Sequence, residues 1–321
     1  MNSKVISQID KNTSAKILLN ESLKKHTTYG VGGNADLIIP SNKIDLKNIM
    51  KIASDYDEKI TILGSGSNVL ISDKGIKGIT VSLKGALDQV KVNGGKLYAE
   101  CGARLGKVVK ESIKYDLIGL ENLVGVPGTL GGALIMNAGA WGGEISQYLK
   151  SVEVIIDNEI QNLDSSDIEF SYRNSSFTKN TILLSANFEL QKSNISEIKK
   201  NLIKAQDGRK NTQPLNKRSA GSLFKNPDGN SAGKLIDEAG LKGLSIGDAK
   251  ISTKHANFLI NDGKATSKDM LKLIKKVRNT VQEKFNVLLE LEVKLIGFDK
   301  NELGGLSWKK IKFLKFWKMY L

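Results

Sequence analysis

Short apolar runs and helically spaced apolar residues alternate near the start of the chain. Residues 35–40 ("ADLIIP") and 59–64 ("KITILG") have the apolar runs typical of strands. Between them, residues 41–57 predict a helix capped near Ser41, with Ile44, Ile49 and Ile52 directed toward a core. This order predicts a βαβ unit with a right-handed crossover.

The next hundred residues alternate short strands with glycine. The stretches "NVLIS", "GITVSL", "VKVNGG" and "KLYAEC" predict strands of a mixed sheet, and a helix is expected from about Leu105 to Tyr115. The stretch at 124–143, "VGVPGTLGGALIMNAGAWGG", is too rich in glycine for an ordinary helix and too apolar for a solvent-exposed loop. We interpret it as backbone folded closely against a ligand or another chain segment.

A lysine-rich helix at about 194–211 leads into a further unit. That unit is predicted to contain a helix near 231–240, strands near 248–252 and 257–261, and a long helix after Thr266, which with Asp269 fits a capping box. The alternating stretch "LLELEVKLI" at 288–296 predicts a closing strand with Glu290, Glu292 and Lys294 on its polar face. We divide the chain into 1–83, 84–205, 206–297 and a tail at 298–321.

Composition limits the chemistry that the side chains can perform. The 321 residues include two histidines and one cysteine, too few for most histidine or cysteine metal sites and most nucleophilic triads. We therefore expect no metal site, and we expect a cofactor to carry any difficult reaction. No apolar run is long enough to span a membrane or resembles a signal peptide, so we expect a cytoplasmic protein.

The net charge of +14 raises the question of nucleic-acid binding. Lysine supplies 43 of the 48 basic residues and is spread over the whole chain, whereas a nucleic-acid patch would cluster its charge and interleave aromatic residues. We expect no nucleic-acid partner, although the positive field favours anionic small molecules.

A glycine- and serine-rich turn lies between two predicted strands. Gly64, Ser65, Gly66, Ser67 and Asn68 could direct backbone N–H groups and polar side chains at a pyrophosphate. The spacing of this turn does not fit a Rossmann fingerprint, and a plain hairpin turn is the alternative. The separate stretch "GARLGKVV" at 102–109 does not fit a Walker loop.

Several motifs together resemble a known family. The turn and the 124–143 stretch resemble the FAD-binding domain of the vanillyl-alcohol-oxidase (PCMH) type. With "HTTYGVGG", "SYRNSSF", "AGSLFKNP" and "ELEVKLIG", in this order, residues 20–297 resemble the UDP-N-acetylenolpyruvoylglucosamine reductase family.

The resemblance implies an α+β fold with two FAD-binding subdomains and a C-terminal α/β substrate domain. It also implies non-covalent FAD, NADPH as co-substrate, and UDP-N-acetylglucosamine enolpyruvate reduced to UDP-N-acetylmuramate for peptidoglycan. Besides the turn, the implied FAD contacts are Pro127, Gly128, Thr129, Gly131, Gly132, Asn137 and Gly139. The short interval between Arg173 and Ser222 resembles the family subtype without a substrate-capping loop.

The catalytic residues follow from motif position. Ser222 matches the family's proton donor, Arg173 the arginine near the substrate carboxylate, and Glu292 the carboxylate that assists protonation. Each has a simpler interpretation: a turn serine, a surface ion pair, and a solvent-facing glutamate. Glu290 is the competing glutamate.

Three further residues are implied near the nucleotide sugar or NADPH. They are Tyr172, Lys210 and Asn226, with Arg209 and Lys217 competing for the place of Lys210. We expect a monomer. The tail at 298–321 is expected to be disordered or packed back, with contact to an anionic membrane surface as the alternative.

Two other functions stay open from sequence alone. One is an FAD-dependent oxidase of the same flavin-domain type, and the other is a basic nucleic-acid-binding protein without catalysis. Reactivity with oxygen would identify the first, and a colourless protein with salt-dependent DNA binding would identify the second.

Overall fold

A four-stranded sheet and two helices form the first part of the chain. The structure is a computed structural model that describes residues 2–178 and 180–306. The elements of this part are α1 (Ser3–Asn12), β1 (Lys16–Ser22), β2 (Asn34–Ile39), α2 (Lys43–Asp55), β3 (Ile60–Leu63), β4 (Val69–Ile71) and β5 (Ile79–Ser82). The sheet order is β1-β2-β5-β3, with β2, β5 and β3 parallel. The predicted strand–helix–strand succession is confirmed, and β5 lies between its two strands.

Helix α2 shows how one part of the prediction failed. The side chain of Asn42 caps the helix by accepting a hydrogen bond from the Asp45 N–H at 2.8 Å. Ile49 is fully buried as predicted, but Ile44 is 69% exposed. The buried face contains Leu46, Ile49 and Ala53, and Ile44 lies about 200° around the helix from Leu46. The prediction that Ile44 faces the core was therefore wrong.

The second part is built on a five-stranded antiparallel sheet. Its elements are β6 (Val90–Asn93), β7 (Lys96–Glu100), α3 (Leu105–Lys114), β8 (Leu117–Ile118), α4 (Leu130–Ile135), β9 (Gly139–Ala140), β10 (Gly143–Glu144), β11 (Leu149–Ile156), β12 (Glu159–Asp164), β13 (Phe170–Ser171), β14 (Asn174–Ser175), β15 (Ile182–Glu189), β16 (Gln191–Lys192) and α5 (Ile195–Thr212). The sheet order is β12-β11-β15-β7-β6. The glycine-rich stretch forms only the six-residue helix α4 and the hairpin β9–β10. Helix α5 crosses the boundary that we expected at residue 205.

The third part is a smaller sheet covered by helices. Its elements are β17 (Arg218–Ser219), α6 (Ala232–Glu238), β18 (Ser245–Ile246), β19 (Ala249–Ile251), β20 (Leu259–Asn261), α7 (Ser267–Phe285), β21 (Lys294–Ile296) and α8 (Lys300–Leu303). The antiparallel order is β17-β20-β19-β18. The predicted capping box at the start of α7 is confirmed, because Thr266 and Asp269 bond each other's backbone N–H groups.

The predicted closing strand is shorter than expected and has a different neighbour. Only β21 is a strand, and it pairs in parallel with β4 of the first part. The preceding residues alternate as predicted, with Leu289, Leu291 and Val293 buried, but they meet the chain at Leu223–Lys225 instead of a sheet. Alternation therefore indicated which residues are buried but not which strand they pair with.

The third part is joined to the first by several contacts. Besides the β4–β21 pairing, both the N–H and the hydroxyl of Ser267 donate to Asp73, and the Asn261 side chain donates to the Tyr29 carbonyl. One hydrophobic core contains Tyr29 and Leu70 together with α6 and α7. These contacts fix the third part beside the turn between β3 and β4.

The beginning of the expected tail is folded. Lys275 and Arg278 of α7 donate to the carbonyls of Glu302 and Gly305, and Leu306 is buried. Residues 307–321, where the membrane alternative would apply, lie outside the described residues. Within 2–178 and 180–306, no helix is long and apolar enough to cross a membrane.

Candidate active site

A cavity of about 580 Å³ lies where the three parts meet. This volume is in the range of small-molecule and cofactor sites. The predicted residues that border it come from both glycine-rich stretches and from the three catalytic motifs: Gly64, Ser65, Gly66, Ser67, Asn68, Pro127, Gly128, Thr129, Gly131, Gly132, Gly139, Arg173, Ser222 and Glu292. The structure thus brings together residues that the sequence separates by more than 200 positions.

The turn between β3 and β4 requires its glycines. Gly66 has a φ of +62°, and a Cβ there would lie 2.0 Å from the carbonyl oxygen of His26. A Cβ on Gly64 would lie 2.5 Å from the Thr129 hydroxyl oxygen. The Ser67 hydroxyl donates to the Pro127 carbonyl at 3.0 Å. The two glycine-rich segments are therefore held against each other on one wall of the cavity.

This wall fits a flavin dinucleotide. Backbone without side chains borders the cavity at Gly64, Gly66, Gly128 and Gly131, so N–H groups can approach a pyrophosphate closely. Apolar side chains line the rest of the wall, among them Ile62, Leu63, Leu83, Ile135 and Leu183. Such surfaces suit the apolar body of an isoalloxazine ring.

Arg173 and Glu292 form an ion pair in the cavity wall. The Arg173 Nε lies 3.2 Å from Glu292 Oε1, and its Nη2 donates to the Gly139 carbonyl at 3.0 Å. The guanidinium stacks on the Tyr172 ring, with the Arg173 Cζ 5.0 Å from the ring centroid. Burial raises the pKa of the Glu292 carboxyl, and Arg173 opposes that rise. Glu292 therefore holds a proton more readily than an exposed glutamate does.

Ser222 is fixed next to this pair through the backbone. The N–H of Leu223 donates to the Asn257 carbonyl at 2.8 Å, and the N–H of Glu292 donates to the Leu223 carbonyl at 3.0 Å. Among the described residues the Ser222 hydroxyl bonds to no protein atom, so the turn-serine interpretation has no hydrogen bond to support it. The hydroxyl borders the cavity and is available to a ligand.

Sequence reasoning assigned no contact to four polar residues of the cavity wall, which are Thr181, Arg209, Gln213 and Lys294. It had named Arg209 only as a competitor for the place of Lys210. Lys294 lies two positions after Glu292, and strand alternation had already put both on one face. Burial, and then the charge of Lys225, lowers the pKa of Lys294 to about 8. Arg209 lies in the last turn of α5, and Gln213 directly follows the helix, with its N–H donating to the Arg209 carbonyl. Their spacing of four residues was the signal that could have found them together.

Four predicted contacts do not border the cavity. Asn137 is fully buried and donates to Glu144 at 2.8 Å and to the Ser171 carbonyl. Tyr172 is exposed apart from its stack on Arg173. Lys210 is exposed, and the Asn226 side chain accepts from the N–H of Ala232, the first residue of α6. Ligand roles for these four residues stay predictions.

Comparisons with known proteins match this arrangement. Residues 213–296 match the C-terminal domain of UDP-N-acetylenolpyruvoylglucosamine reductases, and residues 35–160 match an FAD-binding domain family. A UDP-N-acetylenolpyruvoylglucosamine reductase of Clostridium novyi is 45% identical over 300 residues, which are 92% of this chain and 96% of that protein.

Two further relatives agree with it. One of the same name from Caldanaerobacter subterraneus is 44% identical over 285 residues, which are 88% of this chain and 94% of that protein. The crystal structure of a UDP-N-acetylenolpyruvylglucosamine reductase from Thermus caldophilus superposes with a TM-score of 0.75 at 35% identity. That match covers 88% of this chain and 98% of the other.

Proposed function

The chain belongs to the UDP-N-acetylenolpyruvoylglucosamine reductase family, and we propose that it uses NADPH to reduce the enolpyruvyl ether of UDP-N-acetylglucosamine enolpyruvate. It is an FAD-dependent oxidoreductase of peptidoglycan synthesis, and its α+β fold contains an FAD-binding domain of the vanillyl-alcohol-oxidase type. The observation that carries the proposal is the meeting of Ser222, Arg173 and Glu292 at a cavity walled by both glycine-rich segments. Neither the oxidase nor the nucleic-acid-binding alternative is favoured.

We assign the parts of the chain as follows. Residues 1–83 and 84–205 hold FAD through the β3–β4 turn and the glycine-rich stretch, and 206–297 carries the substrate side. FAD, when bound, supplies the hydride that reaches the vinyl carbon of the substrate. Tyr172, Lys210 and Asn226 are proposed to contact the nucleotide sugar or NADPH beyond the cavity mouth, since none borders the cavity itself.

The chain's own side chains manage charge and protons. Arg173 holds the substrate carboxylate, and its positive charge stabilises the negative charge that develops beside that carboxylate. Ser222 then donates its hydroxyl proton to the adjacent carbon. A serine hydroxyl is far too weak an acid for most acceptors, but such an enolate is basic enough to accept its proton. Glu292, whose raised pKa favours the protonated form, assists that transfer.

Anaerobic spectroscopy tests this proposal. The purified protein should show flavin bands that bleach with NADPH and return when UDP-N-acetylglucosamine enolpyruvate is added. In Ser222→Ala the first change should keep its rate, and the second should slow by about 100-fold or more. Ser245→Ala, which removes an exposed hydroxyl from β18, is the matched control and should alter neither rate.

Three results would count against it. A protein that cannot be loaded with FAD contradicts the cofactor assignment. Reduced flavin that reacts with oxygen but not with the enolpyruvyl sugar indicates an oxidase. Equal slowing of both half-reactions in Ser222→Ala shows that the serine is not the proton donor.

A further inference from the structure

The backbone of Arg173 has an unusual conformation. Arg173 is the second residue of the two-residue turn that joins β13 to β14. Its φ is +55°, in the left-handed region that glycine or asparagine usually occupies at this position of a tight turn. Such a conformation is costly and persists only where the surrounding structure enforces it. The neighbours of this turn must therefore hold Arg173 in place.

The guanidinium end of Arg173 is fixed by the neighbouring hairpin. The Arg173 Nη2 donates to the Gly139 carbonyl at 3.0 Å. Gly139 begins β9 and pairs with Glu144 of β10. A Cβ at Gly139 would lie 2.9 Å from the Glu144 Cγ and 3.4 Å from the Arg173 Nη1, so the three residues are closely packed. The direction of the guanidinium therefore depends on where this hairpin lies.

The side-chain amide of Asn137 joins the hairpin to the turn. Its Nδ2 donates to Glu144 Oε2 at 2.8 Å and to the Ser171 carbonyl at 3.2 Å. Ser171 is the last residue before the turn, and Glu144 is the partner of Gly139. Because a carboxylate and a carbonyl can only accept, the amide must present its nitrogen to both. One side chain therefore fixes both the backbone that carries Arg173 and the hairpin that holds its guanidinium.

Asn137 occupies a costly position. Its φ is +41°, a left-handed conformation that asparagine tolerates better than most residues do. The residue is fully buried, and within 2–178 and 180–306 its Oδ1 has no hydrogen-bond partner. A buried oxygen without a partner lowers stability, and strained backbone is concentrated at functional sites. These features indicate a functional role for the two bonds that the amide nitrogen makes.

We propose that Asn137 is a positioning residue for Arg173. Together with Glu144 it orients the guanidinium so that the substrate carboxylate can pair with it. The inference rests on the proposed function, which assigns that carboxylate to Arg173. It replaces the expectation from sequence that Asn137 contacts FAD, because neither Asn137 nor Glu144 borders the cavity.

Ligand titrations of the FAD-loaded protein test this role. Asn137→Gly removes the amide, and glycine adopts a positive φ without strain. Followed by flavin absorbance, this variant should bind UDP-N-acetylglucosamine enolpyruvate tenfold or more weakly than wild type. Its affinity for UDP-N-acetylglucosamine, which has no carboxylate for Arg173, should stay within twofold of wild type. The rate at which NADPH bleaches its flavin should also stay within twofold.

A double variant separates positioning from a general structural role. Arg173→Met removes the group that Asn137 is proposed to orient. Adding Asn137→Gly to Arg173→Met should therefore weaken binding of the enolpyruvyl sugar by no more than a further twofold, because the effects of coupled residues are not additive. A residue that only supports the fold would cause the same loss in both backgrounds.

Variants of Glu144 test the same link without changing the buried amide. Glu144→Ala removes the acceptor, so it should weaken binding of the enolpyruvyl sugar by threefold or more. Glu144→Gln should retain most of the affinity, because the amide oxygen of glutamine can still accept from Asn137.

Asn286→Gly is the matched control. Asn286 also has a positive φ, of +55°, but it is exposed at the end of α7. The affinity of this variant for both sugars should stay within twofold of wild type.

Several outcomes would overturn the proposal. One is affinity for the enolpyruvyl sugar within twofold of wild type in Asn137→Gly, and another is equal weakening for both sugars. A further tenfold loss in the Arg173→Met background would show that Asn137 acts independently of the arginine. Loss of FAD from Asn137→Gly with unchanged affinity for the enolpyruvyl sugar would show that Asn137 serves the cofactor.

Two measurements keep these outcomes distinct. If Asn137→Gly does not fold, the Glu144 variants decide, and wild-type affinity in Glu144→Ala then overturns the proposal. The bleaching and recovery of wild-type flavin are recorded first. Failure there contradicts the proposed function, whereas success with unaffected variants contradicts only the positioning role.

Discussion

Removal of Arg173 should destabilise the protein through the glutamate that it leaves behind. In Arg173→Met the long apolar stem is largely kept, but Glu292 loses the partner that opposes its raised pKa. Breaking a buried ion pair costs about 3–5 kcal/mol. Because 22% of the Arg173 side chain and 14% of the Glu292 side chain remain exposed, we expect a loss of roughly 2–4 kcal/mol in the free energy of unfolding at neutral pH.

The loss should depend on pH in a defined direction. The folded protein holds a proton on Glu292 more strongly than the unfolded chain does, so stability falls as pH rises from the ordinary pKa of 4.5 through the raised value. Without Arg173 the pKa of Glu292 rises further. At pH values above the raised pKa, each additional pKa unit lowers the free energy of unfolding by about 1.4 kcal/mol. The deficit of Arg173→Met relative to wild type should therefore be larger near about pH 8 than near about pH 5.

Urea denaturation of the FAD-loaded protein measures both effects. The double variant Arg173→Met with Glu292→Gln should recover at least half of the loss, because a buried glutamine carries no charge that needs an ion-pair partner. Lys150→Met is the matched control: it breaks an ion pair with Glu189 that is shorter, at 2.7 Å, but exposed, and should cost at most about 1 kcal/mol. A deficit in Arg173→Met that is independent of pH, or no larger than that of the control, would refute the reasoning.

Three further predictions concern the turn between β3 and β4, the packing of α2 and the burial of Cys101. Gly66→Ala should abolish FAD retention, because its methyl group would lie 2.0 Å from a carbonyl oxygen. The control Gly94→Ala has a similar positive φ but nothing within 4 Å, so it should retain flavin absorbance, and equal loss in both variants would contradict this. In urea denaturation, Ile49→Ala should lower the free energy of unfolding by about 2–4 kcal/mol and Ile44→Ala by at most about 0.5 kcal/mol. Similar losses in the two variants would contradict the packing of α2. Cys101 is fully buried and burial raises its pKa, so a thiol reagent should react no faster than the protein unfolds, and rapid labelling of the native protein would contradict its burial.

The sequence predicted much of this site because its chemistry is concentrated in short motifs. Ser222, Arg173 and Glu292 each belong to a stretch whose local pattern is distinctive, and all three reach the cavity. Alternation in the strand placed Glu292 and Lys294 on one face. It could not identify β4 as the partner of β21, because pairing between distant segments leaves no local signal.

The errors arose where three-dimensional orientation decides the outcome. Arg209 and Lys210 are neighbours in the sequence, but successive residues of a helix point about 100° apart. The helix brings Arg209 to the cavity and leaves Lys210 exposed. In the same way, Ile44 has a suitable side chain for the core but lies on the wrong face of α2.

The pairing of β21 with β4 also determines when the site can exist during synthesis. The turn to which we assign the cofactor is synthesised early, but Asn68 is bonded to residues more than 220 positions later. Its side chain donates to the Glu292 carbonyl, and its own carbonyl accepts from the Lys294 N–H. Contacts of such long range close slowly, because the intervening chain must first be ordered. A nascent or truncated chain that stops before β21 can therefore form the first sheet but not the completed site. The cofactor should accordingly bind only after the chain has been synthesised through β21.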